Sequence, residues 1–321
     1  MMKAIRIHKF GDPEVMKLEE VTEPSPGPGQ VVVKIKAIGI NPVDTYIRSG
    51  TYTIKPKLPY TPGNDAAGII KSIGEGVDHV SMDDRVYIAG SISGTYAEQA
   101  LCDAVKVHIL PEKISFAQGA GINTPYSASY HALFHRAKAI PGEVAFIHGA
   151  TGGVGVAAVQ WACGAGLTVI GTGGTEEGRR MLAEQGAHHV LDHKAPNHQE
   201  EALTLTRGHG VDVILEMLAN INLGNDLKIL AKDGRVVIIG SRGPVEINPR
   251  DAMGRNASIL GMLLMTASER EIFSIHSAIR AGLEKDILRP VVGRELTLAE
   301  ASLAHRLLME SSAYGKIVLI P

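Results

Sequence analysis

The chain of 321 residues has little cysteine, little net charge and no long apolar run. With only Cys102 and Cys163, it cannot carry a disulfide framework, and a reducing cytoplasm is the expected compartment. The formal net charge of −2 gives no general attraction to nucleic acid or to anionic membranes. No apolar stretch reaches the roughly 18 residues that a membrane-spanning helix needs, and no signal-peptide core is found. Membrane insertion and export are therefore not expected.

A glycine-rich turn is the most informative feature that the chain does contain. Residues 148–155 read His-Gly-Ala-Thr-Gly-Gly-Val-Gly, directly after the apolar run 144–147 and before a helical pattern. Strand, glycine turn and helix in this order form the phosphate-binding corner of a dinucleotide-binding fold, although Ala150 replaces the usual first glycine. Gly152 lets the backbone approach a pyrophosphate, and Gly155 lets the helix pack closely on its strand. The expected cofactor contacts in this turn are Thr151, Gly152, Gly153, Val154 and Gly155.

The second half of the chain alternates short apolar runs with helical stretches, which is typical of a parallel sheet. We expect strands at 144–149, 167–172, 189–192, 211–216, 234–239 and 258–262. Helices fit between them at 153–165, 176–186, 198–207 and 223–231. This pattern predicts a doubly wound α/β domain that binds its ligand at the carboxyl ends of the strands.

The first 120 residues have a different pattern, with a proline- and glycine-rich loop at 24–29. Short strands are expected at 31–37, 66–74, 84–88, 95–101 and 105–108. They indicate a mostly antiparallel β domain, to which the strand-like tail 315–320 returns. Two domains also suit the length of the chain.

Several segments carry a resemblance that spans nearly the whole length. They are residues 41–52, 58–63, 92–98, 171–178, 216–222, 240–243 and 246–251. In order and spacing, they resemble the zinc-free quinone oxidoreductases of the medium-chain dehydrogenase/reductase superfamily, and among those the zeta-crystallin group. The resemblance implies a GroES-like, β-rich catalytic domain (1–121 and 287–321) and a Rossmann domain (122–286). It also implies NADPH as cofactor, a quinone as substrate and a homodimer or homotetramer.

The positions that hold catalytic zinc in related alcohol dehydrogenases differ in this chain. Those enzymes place a cysteine in the segment that here contains Asn41, and a His-Glu pair where this chain has Asn64 and Asp65. Neutral amides cannot replace a thiolate and an imidazole as zinc ligands. The structural zinc lobe of the superfamily needs four cysteines, so neither zinc site is expected to form.

Histidines offer a rival interpretation as metal ligands. One group clusters in sequence at 188, 189, 193 and 198, while His131 and His135 have the i, i+4 spacing of a zinc-binding helix. However, Ala132 stands where a metalloprotease carries its general-base glutamate, and no thiolate is close in sequence. The expectation is therefore no bound metal.

The end of the second predicted strand, 167–172, determines which dinucleotide is expected. An NAD-specific domain carries an acidic residue there for the ribose 2′-OH, whereas this chain has none and continues to Arg179. With no carboxylate there to repel it, the 2′-phosphate on the adenosine ribose of NADPH can pair with the arginine guanidinium. The sequence therefore predicts NADPH rather than NADH. Many quinone reductases hold that phosphate with a lysine where this chain has Gly178, so Arg179 or the Gly174 backbone is the expected substitute.

The resemblance places His193 near the adenosine. The expected contacts of the nicotinamide half, at the ends of strands four and five, are Asn222, Ile239, Gly240, Ser241 and Arg242.

A hydride transfer without zinc requires a neutral donor that hydrogen-bonds the oxygen of the acceptor. The resemblance places Asn41 and Tyr46 in the loop that faces the cofactor, with Tyr52 a few residues on. The Tyr46 phenol donates a hydrogen bond and its ring can stack, so it is expected to contact both acceptor and cofactor. Asn41 as a turn residue and Tyr52 as a packed aromatic are the alternative interpretations.

The acceptor itself stays open at this point. Quinones, enones and enoyl thioesters all accept hydride at a conjugated system, and the fold does not choose among them. The alternatives are an NADPH-dependent alkenal or enoyl double-bond reductase, and a nucleic-acid-binding zeta-crystallin-like protein with secondary reductase activity. Near-neutral charge and the lack of an aromatic-studded basic face disfavour nucleic acid as the main ligand.

Overall fold

A computed structural model describes residues 1–310 and 314–321 of the chain. It divides into two compact units, and the first combines the segments Met1–Thr124 and Pro290–Pro321. The second unit is Pro125–Arg289. The elements of the first segment are β1 (Met2–Ile7), β2 (Met16–Val21), β3 (Gln30–Gly39), α1 (Pro42–Ser49), β4 (Asp65–Ile73), β5 (Arg85–Ala89), β6 (Gln99–Asp103), β7 (Val107–Ile109) and α2 (Phe116–Gly119).

The remaining elements follow in chain order. Helix α3 (Asn123–Tyr130) crosses the boundary between the units and continues as a π-helix, His131–Arg136. The second unit then has β8 (Val144–Ile147), α4 (Gly153–Gly164), β9 (Thr168–Gly173), α5 (Glu176–Glu184), β10 (His189–Asp192), α6 (His198–Leu205), β11 (Val211–Glu216), α7 (Ala219–Ile229), β12 (Leu230–Ile238), α8 (Pro249–Met253), β13 (Ser258–Gly261) and α9 (Glu269–Glu284). The last segment has β14 (Val292–Thr297), α10 (Ala301–Met309) and β15 (Lys316–Ile320).

The boundaries between the units lie three residues later than the sequence prediction of 121 and 286, and local hydrogen bonds explain the shift. Asn123 and Thr124 both hydrogen-bond to the buried carboxylate of Asp65, which keeps the start of α3 in the first unit. The Arg289 N–H donates to the side chain of Gln160, which keeps Arg289 in the second unit.

The first unit is built on a seven-stranded sheet with the order β14-β15-β3-β4-β5-β7, and β6 pairs with β3. All pairs are antiparallel except β14 with β15. The mostly antiparallel β domain and the returning tail are thus confirmed. The predicted strand 95–101 is corrected to β6, because the N–H groups of Thr95 and Tyr96 both donate to the Pro62 carbonyl and form a turn there.

The second unit contains a six-stranded parallel sheet with the order β10-β9-β8-β11-β12-β13. This is the doubly wound order of a Rossmann fold, with its switch point beside β8. Buried apolar runs such as β8 suit a parallel sheet that is covered on both faces. The predicted strands and crossover helices are confirmed. Two starts are corrected, because α7 begins at Ala219 and β12 at Leu230, each four residues earlier than expected.

Candidate functional site

The glycine turn lies between β8 and α4, at the switch point of the parallel sheet. Gly155 allows the helix to pack on the turn, since a Cβ there would lie 2.4 Å from the Ala150 Cα. Gly152 has no such neighbour, because the nearest atom to an added Cβ is the Gly149 oxygen at 3.6 Å. Among the residues that the structure describes, no side chain caps α4 at Gly152, so the first N–H groups of the helix are available for an anion. Thr151, Gly153 and Val154 are half-buried in this turn and helix start.

The ends of β9 and β10 bring basic groups to Gly174. An added Cβ on Gly174 would lie 2.6 Å from His193 Nε2 and 3.4 Å from the Lys194 Cε, so both side chains border this backbone. Arg179 lies at the same edge, where its Nη1 donates to the Gly173 carbonyl at 3.2 Å and pairs with Asp192 at 3.0 Å. Lys194 is exposed. This edge therefore offers cationic groups for a phosphate, with the charge of Arg179 partly balanced by Asp192.

The ends of β11 and β12 are joined by backbone hydrogen bonds. The N–H groups of Ile239 and Gly240 both donate to the Glu216 carbonyl, at 2.9 and 3.2 Å. A Cβ on Gly240 would lie 2.5 Å from the Met217 oxygen, which excludes any side chain there. Asn222 lies on α7 and donates to Glu216 Oε1 at 3.2 Å.

Ser241 and Arg242 are exposed beyond the end of β12. The Ser241 hydroxyl donates to the Gly243 carbonyl at 2.9 Å, and the Arg242 N–H donates to Asn220 Oδ1 at 2.9 Å. A cavity of about 460 Å³ opens beside this segment. Its lining includes Ile239, Gly240, Ser241, Met262, Leu263 and Glu271. The cavity is thus bordered by residues expected to contact the nicotinamide half.

A buried acidic cluster lies directly below the glycine turn. His148 Nε2 is 2.7 Å from Asp226 Oδ1 and 3.3 Å from Glu216 Oε2. Burial raises the pKa of Glu216 and of Asp226 to about 7, and it lowers the pKa of His148. The cluster ties β8, β11 and α7 together beneath the turn, and sequence reasoning missed it because its members are up to 78 residues apart.

In the first unit, Asn41 is part of a buried polar network. Its Nδ2 donates to Asp65 Oδ2 at 2.9 Å, and its Oδ1 accepts from the Lys316 ammonium. Asp65 also accepts from Asn123 and twice from Thr124, and its Oδ2 lies 3.8 Å from Lys316 Nζ. Asn41 is only 3% exposed, and its amide hydrogen-bonds to both Asp65 and Lys316. The amide therefore holds the two charged side chains in place. The network thus contains a buried ammonium held by an amide and a carboxylate.

Asp44 caps the start of α1 beside this network. Its Oδ2 accepts from the Asn41 N–H at 2.8 Å and from the Tyr96 hydroxyl at 3.3 Å. Burial raises the pKa of Asp44 to about 7. Asn64, at the position that resembles the second zinc-ligand segment of the alcohol dehydrogenases, is exposed, and its backbone carbonyl accepts from the Gly90 N–H.

Tyr46 and Tyr52 are both half-buried, on α1 and in the turn that follows it. Their backbones are joined, since the Tyr52 N–H donates to the Tyr46 carbonyl at 3.2 Å. Within the described residues, nothing hydrogen-bonds to the Tyr46 hydroxyl. That hydroxyl is therefore available to a ligand.

Comparison with known proteins assigns both units. Residues 27–112 match the alcohol dehydrogenase GroES-like domain, and residues 153–277 match the family described as zinc-binding dehydrogenase. The chain is 49% identical over 322 residues to a quinone oxidoreductase of Sus scrofa, covering 100% of this chain and 98% of that protein. It belongs to the quinone oxidoreductase family of the medium-chain dehydrogenase/reductase superfamily.

Other members of the family show the same correspondence. The quinone oxidoreductase of Homo sapiens is 45% identical over 322 residues, covering 100% of this chain and 98% of that protein. The structure of an Escherichia coli quinone oxidoreductase complexed with NADPH is 31% identical and has a TM-score of 0.90. This alignment covers 99% of the present chain and 100% of the other. The expected fold, a GroES-like unit and a Rossmann unit, is confirmed.

Proposed function

We propose that this chain transfers hydride from NADPH to a quinone without a metal ion. The observation that carries the proposal is the uncapped start of α4 with open space over Gly152, which fits a pyrophosphate. When bound, NADPH supplies the hydride. The protein holds the phosphates, orients the acceptor and hydrogen-bonds the acceptor oxygen. Hydride addition to the quinone leaves the hydroquinone monoanion, which solvent protonates, so no acid with a tuned pKa is required.

The proposed cofactor contacts follow the edge of the parallel sheet. The pyrophosphate is assigned to the turn residues 151–155, and the adenosine half to Gly174, Arg179 and His193. The nicotinamide half is assigned to Asn222 and residues 239–242. Tyr46 is the proposed donor to the acceptor, with Tyr52 beside it. Asn41 is proposed to act indirectly, because both ends of its amide are already hydrogen-bonded.

A panel of acceptors tests the activity and separates the alternatives. With NADPH, we expect small quinones to be reduced faster than enals and enoyl-CoA. We also expect no loss of rate after dialysis against a chelator, since the Asn41 amide is committed to Asp65 and Lys316. A faster rate with enals would favour the alkenal reductase. Loss of activity on chelation, restored by zinc, would refute the metal-free proposal.

NADPH is expected to bind about ten- to a hundredfold more tightly than NADH, as one charge-assisted hydrogen bond is worth about 1.5–3 kcal/mol. Arg179→Ala and Lys194→Ala should each reduce this ratio, because both residues lie at the ends of β9 and β10. Arg180→Ala is the matched control on α5, since Arg180 is 70% exposed and pairs with Glu176. Fluorescence titration with both nucleotides measures the ratio. Equal affinities in the unsubstituted protein would contradict the assignment of NADPH.

Tyr46→Phe is expected to lower quinone kcat/KM modestly, because a neutral hydrogen bond contributes about 0.5–1.5 kcal/mol. Tyr46→Ala should in addition weaken binding of cofactor or quinone, as the packing surface of the ring is lost. Steady-state kinetics with a small quinone measures both variants, with folding checked by circular dichroism. Kinetics unchanged in the alanine variant would place Tyr46 outside the site.

A homodimer is the proposed assembly, formed by two copies at the β13 edge of the parallel sheet. This strand is an unpaired edge among the described residues, and Ile259 on it is 39% exposed. Leu263 and Phe273 add exposed apolar surface near it in sequence. A monomer at micromolar concentration in analytical ultracentrifugation would contradict this, and a fourfold mass would indicate the tetramer.

No helix of the described residues could cross a membrane. The proposed location is the cytoplasm, where Cys102 and Cys163 remain thiols.

A further inference from the structure

Two histidines of the second unit face each other on the π-helix His131–Arg136. His131 Nδ1 lies 3.1 Å from His135 Nδ1. The helix is wide at this point, because the Ala137 N–H donates to the Ala132 carbonyl five residues back. Such π-turns often occur at functional sites. Both imidazoles thus present the same ring nitrogen to one small volume.

A carboxylate from another helix completes the group. Glu271 lies in the first turn of α9, where its Oε2 accepts from the backbone N–H and the hydroxyl of Ser268. Its Oε1 lies 4.0 Å from His131 Nδ1 and 3.9 Å from His135 Nδ1. One carboxylate oxygen therefore anchors the helix start and the other faces the histidines.

The separation of these atoms suits a tetrahedral metal ion. Zinc binds imidazole nitrogen and carboxylate oxygen at about 2.0–2.2 Å, which places neighbouring ligand atoms roughly 3.3 Å apart. The two nitrogens are already close to this spacing, and Glu271 Oε1 would have to move by only about 0.6 Å. The His131 side chain is 5% exposed, His135 18% and Glu271 36%, so an ion can enter from one side.

We propose that His131, His135 and Glu271 form a binding site for a divalent transition-metal ion such as Zn²⁺. Two imidazoles and a carboxylate are a common ligand set for this ion, with a fourth position left to water. The site is separate from the zinc positions of the alcohol dehydrogenases, which correspond to Asn41 and Asn64 in the first unit. Sequence reasoning dismissed the histidine pair because Ala132 is not a glutamate, but the carboxylate comes from α9, which that reasoning did not predict.

The position of the site gives it a consequence for the cofactor. His131 and Glu271 line the cavity that Ile239, Gly240 and Ser241 also line. An ion bound there, with its water, occupies part of the space assigned to the nicotinamide half, so it inhibits cofactor binding. This consequence rests on the proposed function, whereas the metal site itself does not. Arg136 also lines the cavity and donates to the Gly261 carbonyl, and its charge limits the affinity for a cation.

The second group with suitable ligands is less accessible. His148, Glu216 and Asp226 lie within metal-binding distance, but their side chains are at most 4% exposed. Two of these groups, His148 and Asp226, already share a hydrogen-bonding contact of 2.7 Å. An ion would have to pass through packed protein to reach them. Substitution of His135 or Glu271 should weaken binding at the first site only, whereas substitution of His148 should affect only the buried cluster. The experiment distinguishes the two sites in this way.

The experiment titrates Zn²⁺ into the purified full-length protein after removal of metal with a chelator, and follows the heat of binding. We expect one ion per chain. His135→Gln and Glu271→Gln should each weaken binding at least about tenfold, since even indirect partners of a metal site contribute this much. Glu271→Gln keeps the capping of α9, because glutamine also accepts at this position. His209→Gln is the matched control, as His209 is an exposed histidine beside Asp212 in the same unit.

Cobalt gives a spectroscopic check of the ligand geometry. Visible absorption bands of tetrahedral Co²⁺ are expected in the unsubstituted protein and in His209→Gln, and should be lost in His135→Gln. Absence of Zn²⁺ binding, or binding unchanged in both ligand variants, would overturn the proposed site. Binding that only a His148→Gln variant removes would assign the ion to the buried cluster and would overturn it as well.

The effect of Zn²⁺ on NADPH binding is measured separately from the binding of Zn²⁺ itself. Saturating Zn²⁺ should raise the Kd of NADPH in the unsubstituted protein and have less effect in His135→Gln. If Zn²⁺ binds as proposed and the Kd does not change, the metal site stands and the assignment of the nicotinamide half to the cavity is wrong. If NADPH binds and Zn²⁺ does not, the inference fails and the proposed function is unaffected.

Discussion

Gly152→Val is expected to abolish measurable NADPH binding while the protein remains folded. The backbone at Gly152 has a φ of −77°, which valine adopts freely, and an added Cβ meets nothing closer than 3.6 Å. The side chain would instead occupy the space over the uncapped start of α4, where the pyrophosphate is proposed to bind. Loss of two charge-assisted hydrogen bonds, at about 1.5–3 kcal/mol each, weakens binding by at least about a hundredfold. Fluorescence titration with NADPH measures the effect.

The control for this variant is Gly155→Ala in the same turn. Its single added carbon would lie 2.4 Å from the Ala150 Cα, so the backbone must move and the fold should lose stability. Gly152→Val should cost only on the order of 1 kcal/mol, from a poorer helix cap. Thermal unfolding separates the two effects. A Gly152→Val protein that folds and binds NADPH normally would show that the phosphates bind elsewhere.

The Rossmann unit was predictable from sequence because its information is local. Buried parallel strands are short continuous apolar runs, and the runs at 189–192 and 211–216 coincide with β10 and β11. In the turn between β8 and α4, Gly155 lies against Ala150 and Gly152 leaves open space over the backbone. The spacing of the two glycines in the sequence was enough to predict this difference. The start of α7 was missed by four residues because Ala219 and its neighbours have no strong capping signal, and no side chain in the described part of the chain caps the observed start.

The contacts that complete the site were not predictable, because they join residues far apart in sequence. Lys194 borders Gly174 only because β9 and β10 pair side by side. Glu271 meets His131 through the packing of α9, a helix that sequence reasoning did not predict. Lys316 was placed correctly in a returning strand, but a strand-like segment does not reveal that its ammonium is buried against Asp65. The hydrophobic pattern of a sequence locates its strands and helices. The partners of a buried charged side chain become visible only in the tertiary structure.

Lys316→Met is expected to destabilise the first unit by about 3–5 kcal/mol, the usual cost of removing one member of a buried ion pair. Lys316 and Asp65 are 5% and 0% exposed, and their charged groups lie 3.8 Å apart. Methionine is similar in size to the lysine stem, so packing is largely kept, but the Asp65 carboxylate loses its countercharge. Asn41 Oδ1 loses a hydrogen-bond donor at the same time. Urea denaturation, followed by far-UV circular dichroism, measures the free energy of unfolding.

A double-mutant cycle with Asp65→Asn separates the charge from the packing. Asparagine Oδ1 can still accept from the Asn123 amide and the Thr124 hydroxyl, as Asp65 Oδ1 does, whereas the hydrogen bond from the Thr124 N–H to Oδ2 is lost. The double variant Lys316→Met/Asp65→Asn should therefore recover part of the loss, with a coupling energy of about 0.5–3 kcal/mol between the two sites. Lys285→Met is the control, because Lys285 is exposed at the end of α9 and should change stability by less than about 0.5 kcal/mol. If Lys316→Met is as stable as this control, the buried ammonium does not stabilise the network, and the polar cluster at Asn41 is held by its other hydrogen bonds.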